Sequence, residues 1–200
     1  MKRKKGFTLI EISLLIFVML IIMAIVLPFS FSNTKEAHLI TKWERIFEEV
    51  KYSFSVYSLN NRNVFDIKSM PNYLSIDKTR LNDPILSKYS YSFLNGKSVK
   101  ENSRYYVDKF YFLEDRTIMG VKMADTCKMG QTCGIIIFDV NGEIGPNKFG
   151  KDVFGVNVYI DRVEAFGTNL SNKLLASDCC NKSSSGVFCS FYYLLGGKLN

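Results

Sequence analysis

The chain predicts an α+β fold: a long kinked N-terminal helix, transmembrane in its first half, packed in its second half on a small C-terminal antiparallel β-sheet. Three observations carry this. An almost unbroken apolar run covers residues 12–31. Beyond it, apolar residues recur at steps of three and four from Leu39 to Tyr57, the period of an amphipathic helix. From residue 104 onward the pattern changes to short Tyr-, Phe-, Val- and Ile-rich runs between turn residues, which is strand chemistry.

The N-terminus opens with Lys2, Arg3, Lys4 and Lys5, then Gly6 and Phe7. The apolar stretch that follows matches a bilayer core of roughly 30 Å, and the cationic block marks the side that stays inside. One acid, Glu11, lies at its start. A charged side chain within a membrane helix costs about 2.5–3.5 kcal/mol, so its presence calls for a function. The bland account is that a first-turn carboxylate is favoured by the helix dipole, worth about 0.3–1 kcal/mol.

Past Ser32 the helix continues with Leu39, Ile40, Trp43, Ile46, Phe47, Val50, Phe54 and Tyr57 on one face and Lys42, Glu44, Arg45, Glu48, Glu49 and Lys51 on the other. The cluster Asn60-Asn61-Arg62-Asn63 ends it. A continuous helix of this extent would be roughly 80 Å long at 1.5 Å per residue. Pro28 falls inside it and kinks it, because proline removes a backbone hydrogen bond and crowds the preceding turn.

Residues 64–104 read as loops with short helical or extended pieces. Strands follow over 104–113, 117–123, 134–140, 155–160 and 161–166, with Asn141-Gly142 as a hairpin turn. Residues 167–186 read as loop. Residues 188–195 are strand or short helix, a run too short to decide.

Composition narrows the function. The net charge of +7 is mostly local: four positive charges sit in residues 2–5, which leaves +3 for the rest. The other cations are interspersed with acids, with no basic stripe, so nucleic acid is not a predicted partner. Inside-positive orientation sends the C-terminal part outward, and all five cysteines (Cys127, Cys133, Cys179, Cys180, Cys189) lie there. Exported cysteines oxidise. Proximity favours Cys127 with Cys133, and Cys179 or Cys180 with Cys189. The spacing Cys127-x5-Cys133 is not that of zinc, and the single histidine, His38, lies far away on the helix. No catalytic constellation is visible, and the chain reads as no enzyme. Asp139, Asn141, Glu143, Asn147 and Asp152 gather oxygen ligands in a short stretch, so a structural calcium at Asp139, Asn141, Asn147 and Asp152 is a candidate cofactor. The pattern is not an EF-hand, and turn formation by Asn-Gly and Gly-Pro-Asn is the competing use of these residues.

Gly6 followed by Phe-Thr-Leu-Ile-Glu and an apolar run resembles the processing signal of type IV pilins and type II secretion pseudopilins. The resemblance implies a pilin-like fold. It implies cleavage by a prepilin peptidase between Gly6 and Phe7, N-methylation of Phe7, an assembly role for Glu11, and a helix-kinking role for Pro28. The stretch 139–154 is also similar to a segment found near the end of the sheet in prepilin-like proteins. The implied layout is leader 1–6, transmembrane helix 7–31, amphipathic continuation 32–60 and exported domain 61–200. The implied partners are the peptidase, other pilin or pseudopilin subunits, an inner-membrane assembly platform and the membrane itself. The implied location is the cytoplasmic membrane, with the C-terminal domain outside, and then a filament. Pseudopilins of the major type are shorter and poor in cysteine, so the greater length and five cysteines favour a minor subunit or a pilin of another branch.

The spacing has a physical meaning. Phe7 and Glu11 stand four apart, on one face of a helix. Cleavage would free an amine that is largely cationic near neutrality, able to meet the Glu11 carboxylate of a neighbouring subunit. The rival expectation is a single-pass tethered binding domain that never polymerises. A second rival is an ordinary secretory signal ending at Ser30-Phe31-Ser32, though the apolar run is long for one.

Overall fold

A computed structural model of the chain describes residues 9–60 and 67–197, the side chains of residues 26–34 and 67 excepted. Gly6 and Phe7, where processing is expected, lie outside the described residues. The fold is α+β: one long helix, α1 (Leu9–Asn60), then a five-stranded antiparallel sheet. The chain divides into two compact units, residues 1–38 and 39–200. The amphipathic stretch from Leu39 onward thus belongs with the sheet.

In the first unit the helical backbone runs through Pro28. Among the described residues no helix is long and apolar enough to cross a membrane. The apolar side chains described there run only from residue 9 to residue 25, about 26 Å of helix at 1.5 Å per residue, against a hydrocarbon core of roughly 30 Å.

In the second unit, the strands are β1 (Lys109–Phe112), β2 (Ile118–Met123), β3 (Gly134–Asp139), β4 (Val153–Val158) and β5 (Val163–Ala165), paired in sequence order. Their register places Ile136 opposite Val156 and Phe138 opposite Phe154. These side chains face α1 and enclose Trp43, Ile46, Val50, Phe54 and Tyr57, all buried. The indole of Trp43 stacks on Phe154 with centroids 5.2 Å apart, and its Nε1 donates to the Ser190 carbonyl at 2.8 Å.

The opposite sheet face is buried too. Ile135 and Ile137 pack with Tyr91, Val107, Phe149, Phe166 and Val187. This explains why residues 135–138 are apolar without a break: a strand covered on both faces has no wet side to encode. Gly155 in β4 is required by that packing, because a Cβ there would overlap the Phe166 ring.

The strands over 109–112, 118–123, 134–139 and 163–165 fall within the runs read from the sequence, with shorter ends, whereas β4 at 153–158 starts and stops two residues before the expected 155–160. Two readings change. Asn141-Gly142 does form a turn, with Gly142 at φ +69°, its N–H donating to the Asp139 carbonyl. However, β3 and β4 are joined by the whole of residues 140–152, so it is no two-residue hairpin. Within 167–186, read as loop, lies a helix, α3 (Asn172–Cys179), and the undecided segment 188–195 contains another, α4 (Cys189–Leu194). Before the sheet stand two 3-10 turns and a short helix, α2 (Pro84–Lys88).

Candidate functional site

Glu11 lies in the first turn of α1 and is exposed. Every large apolar side chain described around it is also exposed: Leu9 at 89%, Ile10 at 76%, Leu14 at 66% and Phe17 at 64%. Ile12, Leu15, Ile16, Met19, Leu20 and Met23 line one shallow groove along the helix, at steps of three and four. Such a stretch of bare apolar surface marks a contact with lipid or with other protein. The acid stands at its N-terminal end, where the helix dipole favours negative charge.

The oxygen-rich loop forms the second candidate. Asp139 and Asp152 are buried, at 1% and 0% exposure. Asp139 Oδ1 accepts from the N–H groups of Asn141 and Gly142, each at 3.0 Å, and Oδ2 accepts from the Tyr89 hydroxyl at 2.6 Å. Asp152 accepts from the N–H of Asn147 at 3.0 Å and of Lys148 at 2.7 Å. Burial, then the nearby Asp152 charge, pushes the Asp139 carboxyl up to about 7, because desolvation and a like charge both disfavour ionisation. Burial raises Asp152 as well, and burial followed by the Asp139 charge raises the Tyr89 hydroxyl.

These contacts bear on the calcium expectation. Asp139, Asn141, Asn147 and Asp152 are indeed brought into one loop. Their carboxylates, though, point at N–H and O–H donors, and the Asn141 amide donates to the Ile144 and Gly145 carbonyls. Asn147 Oδ1 is buried without a hydrogen-bond partner. Calcium takes six to eight oxygens, and among the described residues no group of three or more His, Cys, Asp or Glu gathers. The geometry is that of an acid-pinned turn, the competing use of the same residues.

The cysteines pair as proximity indicated: Cys127 with Cys133 and Cys179 with Cys189, their Cα atoms 5.1 and 5.2 Å apart. Cys180 is free and exposed. His38 is exposed on α1. Three structural roles escaped the sequence reading. Trp43 ties α1 to the C-terminal segment through Ser190. Tyr89 caps Asp139. Asp178 gathers the N–H groups of Ser185 and Phe188, each at 3.0 Å, and so holds the turn between α3 and α4. The Ser-rich loop around 183–185 was a signal for a turn, though not for the carboxylate that holds it.

No family model, no curated protein and no solved structure matches the chain.

Proposed function

We propose that this chain is a structural subunit, of the minor type, of a type IV pilus or a type II secretion pseudopilus. It enters the cytoplasmic membrane through residues 7–31 with the cationic leader inside. A prepilin peptidase removes residues 1–6, Phe7 is methylated, and the assembly platform draws the subunit into a helical filament of related subunits. The observation that carries this reading is the first half of α1: exposed apolar side chains over residues 9–25 with one acid, Glu11, at their head. Apolar surface of that extent is removed from water by lipid before assembly and by neighbouring helices after it.

Glu11 then acts between subunits. In the membrane it is costly. A neighbour's freed N-terminal amine, one helical turn from its own Glu11, brings an opposite charge to this carboxylate and sets the axial offset. An uncut leader would replace that amine with an amide and hold four cations on the inner side. The domain of residues 39–200 supplies the outer coat, and its disulfides suit an exported location.

The experiment is Glu11→Val in the full chain. The proposal expects normal membrane insertion and leader removal, with loss of incorporation into filaments sheared from cells. Wild-type levels of the variant in the filament fraction would overturn the role of Glu11, and absence of the unaltered chain from that fraction would favour a tethered binding domain that does not polymerise.

A further inference from the structure

The second sheet face carries a cleft beside the edge strand β1. Its volume is about 260 Å³, and Tyr89, Tyr91, Tyr106 and Phe110 wall it. Ser90, Ser98 and Asp108 line it as well and are exposed, so they form its rim. We propose that this cleft is a carbohydrate site, which takes one neutral pyranose ring at the end of a glycan.

The walls are fixed before any ligand arrives. Gly120 stands opposite Phe110 in the sheet, and a Cβ there would come within 2.9 Å of the Phe110 ring, so the glycine lets that ring lie against β2. Tyr89 meets Phe110 with centroids 5.0 Å apart and planes at 62°, and Tyr91 meets it at 6.2 Å and 75°. The Tyr89 hydroxyl donates to Asp139 at 2.6 Å. The Tyr91 hydroxyl donates to the Tyr105 carbonyl at 2.8 Å and accepts from the Val107 N–H at 3.1 Å. Both rings are thus pinned at their polar ends and offer their apolar bodies as walls. Lys122 Nζ stands over the Tyr106 ring, 5.7 Å from its centroid, and steadies it.

The polar groups of the cleft are free to bond. Among the described residues no hydrogen bond engages the hydroxyls of Ser90, Ser98 and Tyr106 or the carboxylate of Asp108. Hydroxyls donate and accept, and a carboxylate accepts, which answers the ring of hydroxyls on a sugar. The C–H faces of the same sugar are apolar and pack on aromatic walls. Charge selects no ion here, because Asp108 on the rim is balanced by the Lys122 ammonium over Tyr106. Size selects a single ring: the cleft falls just below the roughly 300–1,000 Å³ of pockets for drug-sized molecules. The exposed rim leaves the rest of a glycan in solvent.

The test uses the full chain in a detergent without a sugar headgroup. The probes are methyl β-glucoside, methyl β-galactoside and methyl N-acetyl-β-glucosaminide, read by saturation-transfer NMR. Each is titrated to about 10 mM, since a ligand of one ring binds in the millimolar range. The proposal expects saturable binding of at least one probe, with transfer strongest to its ring C–H protons. Tyr106→Ala should weaken that binding about tenfold, the worth of one aromatic wall. No transfer to any of the three probes overturns the proposal, and so does unchanged binding in this variant. Ser98→Leu fills the cleft from an exposed position and leaves the core alone, so it decides should Tyr106→Ala fail to fold. It should abolish binding; undiminished binding would place the sugar elsewhere and overturn the site.

Discussion

The two halves of α1 both carry large apolar residues, and those residues meet opposite fates. From Leu39 to Tyr57 the apolar residues form a stripe, and Trp43, Ile46, Val50, Phe54 and Tyr57 disappear under the sheet. From Leu9 to Ile25 they surround the helix, and all the large ones described remain exposed. An apolar stripe is satisfied by one neighbour, whereas an apolar cylinder needs a solvent or a crowd. The difference teaches that the second half of the helix belongs to the fold and the first half to the environment. Charged residues such as Lys42, Glu44, Arg45, Glu48, Glu49 and Lys51 narrow the apolar surface of the second half to a stripe, and nothing comparable does so from residue 12 to residue 25.

Breaking the buried half should cost most. Trp43→Ala removes an indole packed on Phe154, Phe138 and Phe47 and leaves the Ser190 carbonyl without its donor. We expect a loss of about 3–5 kcal/mol in urea unfolding followed by near-ultraviolet circular dichroism. A loss under about 1 kcal/mol would mean that the stripe is not a core.

Ser190→Ala should come next. Its hydroxyl accepts from the Gly155 N–H at 2.9 Å and donates to the Val187 carbonyl at 3.0 Å, in full burial. Stranding the N–H of β4 costs about 1–3 kcal/mol, read by the same unfolding assay. Unchanged stability would show that the C-terminal segment is not held to the sheet at this point.

The Asp139 loop sharpens the comparison through pH. Its carboxyl is raised to about 7 in the folded chain against about 3.9 in an unfolded one. The folded state therefore binds the proton more tightly, and stability falls as pH climbs from about 4 to about 7. Asp152, also raised, adds in the same sense. We expect a lower melting temperature at pH 8 than at pH 5 and a flatter profile in Asp139→Asn. An identical slope in the variant would remove Asp139 from the account. Added calcium at pH 8 should leave the melting temperature in place, because N–H donors already hold these oxygens; a clear rise would put the ion in the loop.

Much of this fold was written locally. The helical period over 39–57 and the Ile-rich run over 135–138 are signals a few residues long, and the structure uses both. What was illegible depends on distant partners. Helix α3 has only Leu175 and Cys179 buried, and Leu174 beside them is exposed, too weak a period to read; it is fixed by its disulfide and by Asp178. The aromatic layer on the second sheet face follows from pairings such as Ser92 with Lys148, which nothing in residues 89–107 announces. The candidate assembly site is the reverse case: Glu11 was legible from residue type and position alone, because a carboxylate in an apolar run needs no tertiary contact to stand out.

The smallest effect should come from the exposed half. Ile16→Ala removes a large side chain that is 57% exposed, so the unfolding of residues 39–200 should shift by no more than about 0.5 kcal/mol. A loss comparable to that of Trp43→Ala would erase the distinction between the two halves.

The most direct test is the intact mass of the chain purified from membranes of cells carrying a prepilin peptidase. The account predicts a mature protein that lacks residues 1–6 and begins at Phe7 with one added methyl group. A mass that retains Met1 or the leader, or one that begins at Asn33, would contradict it.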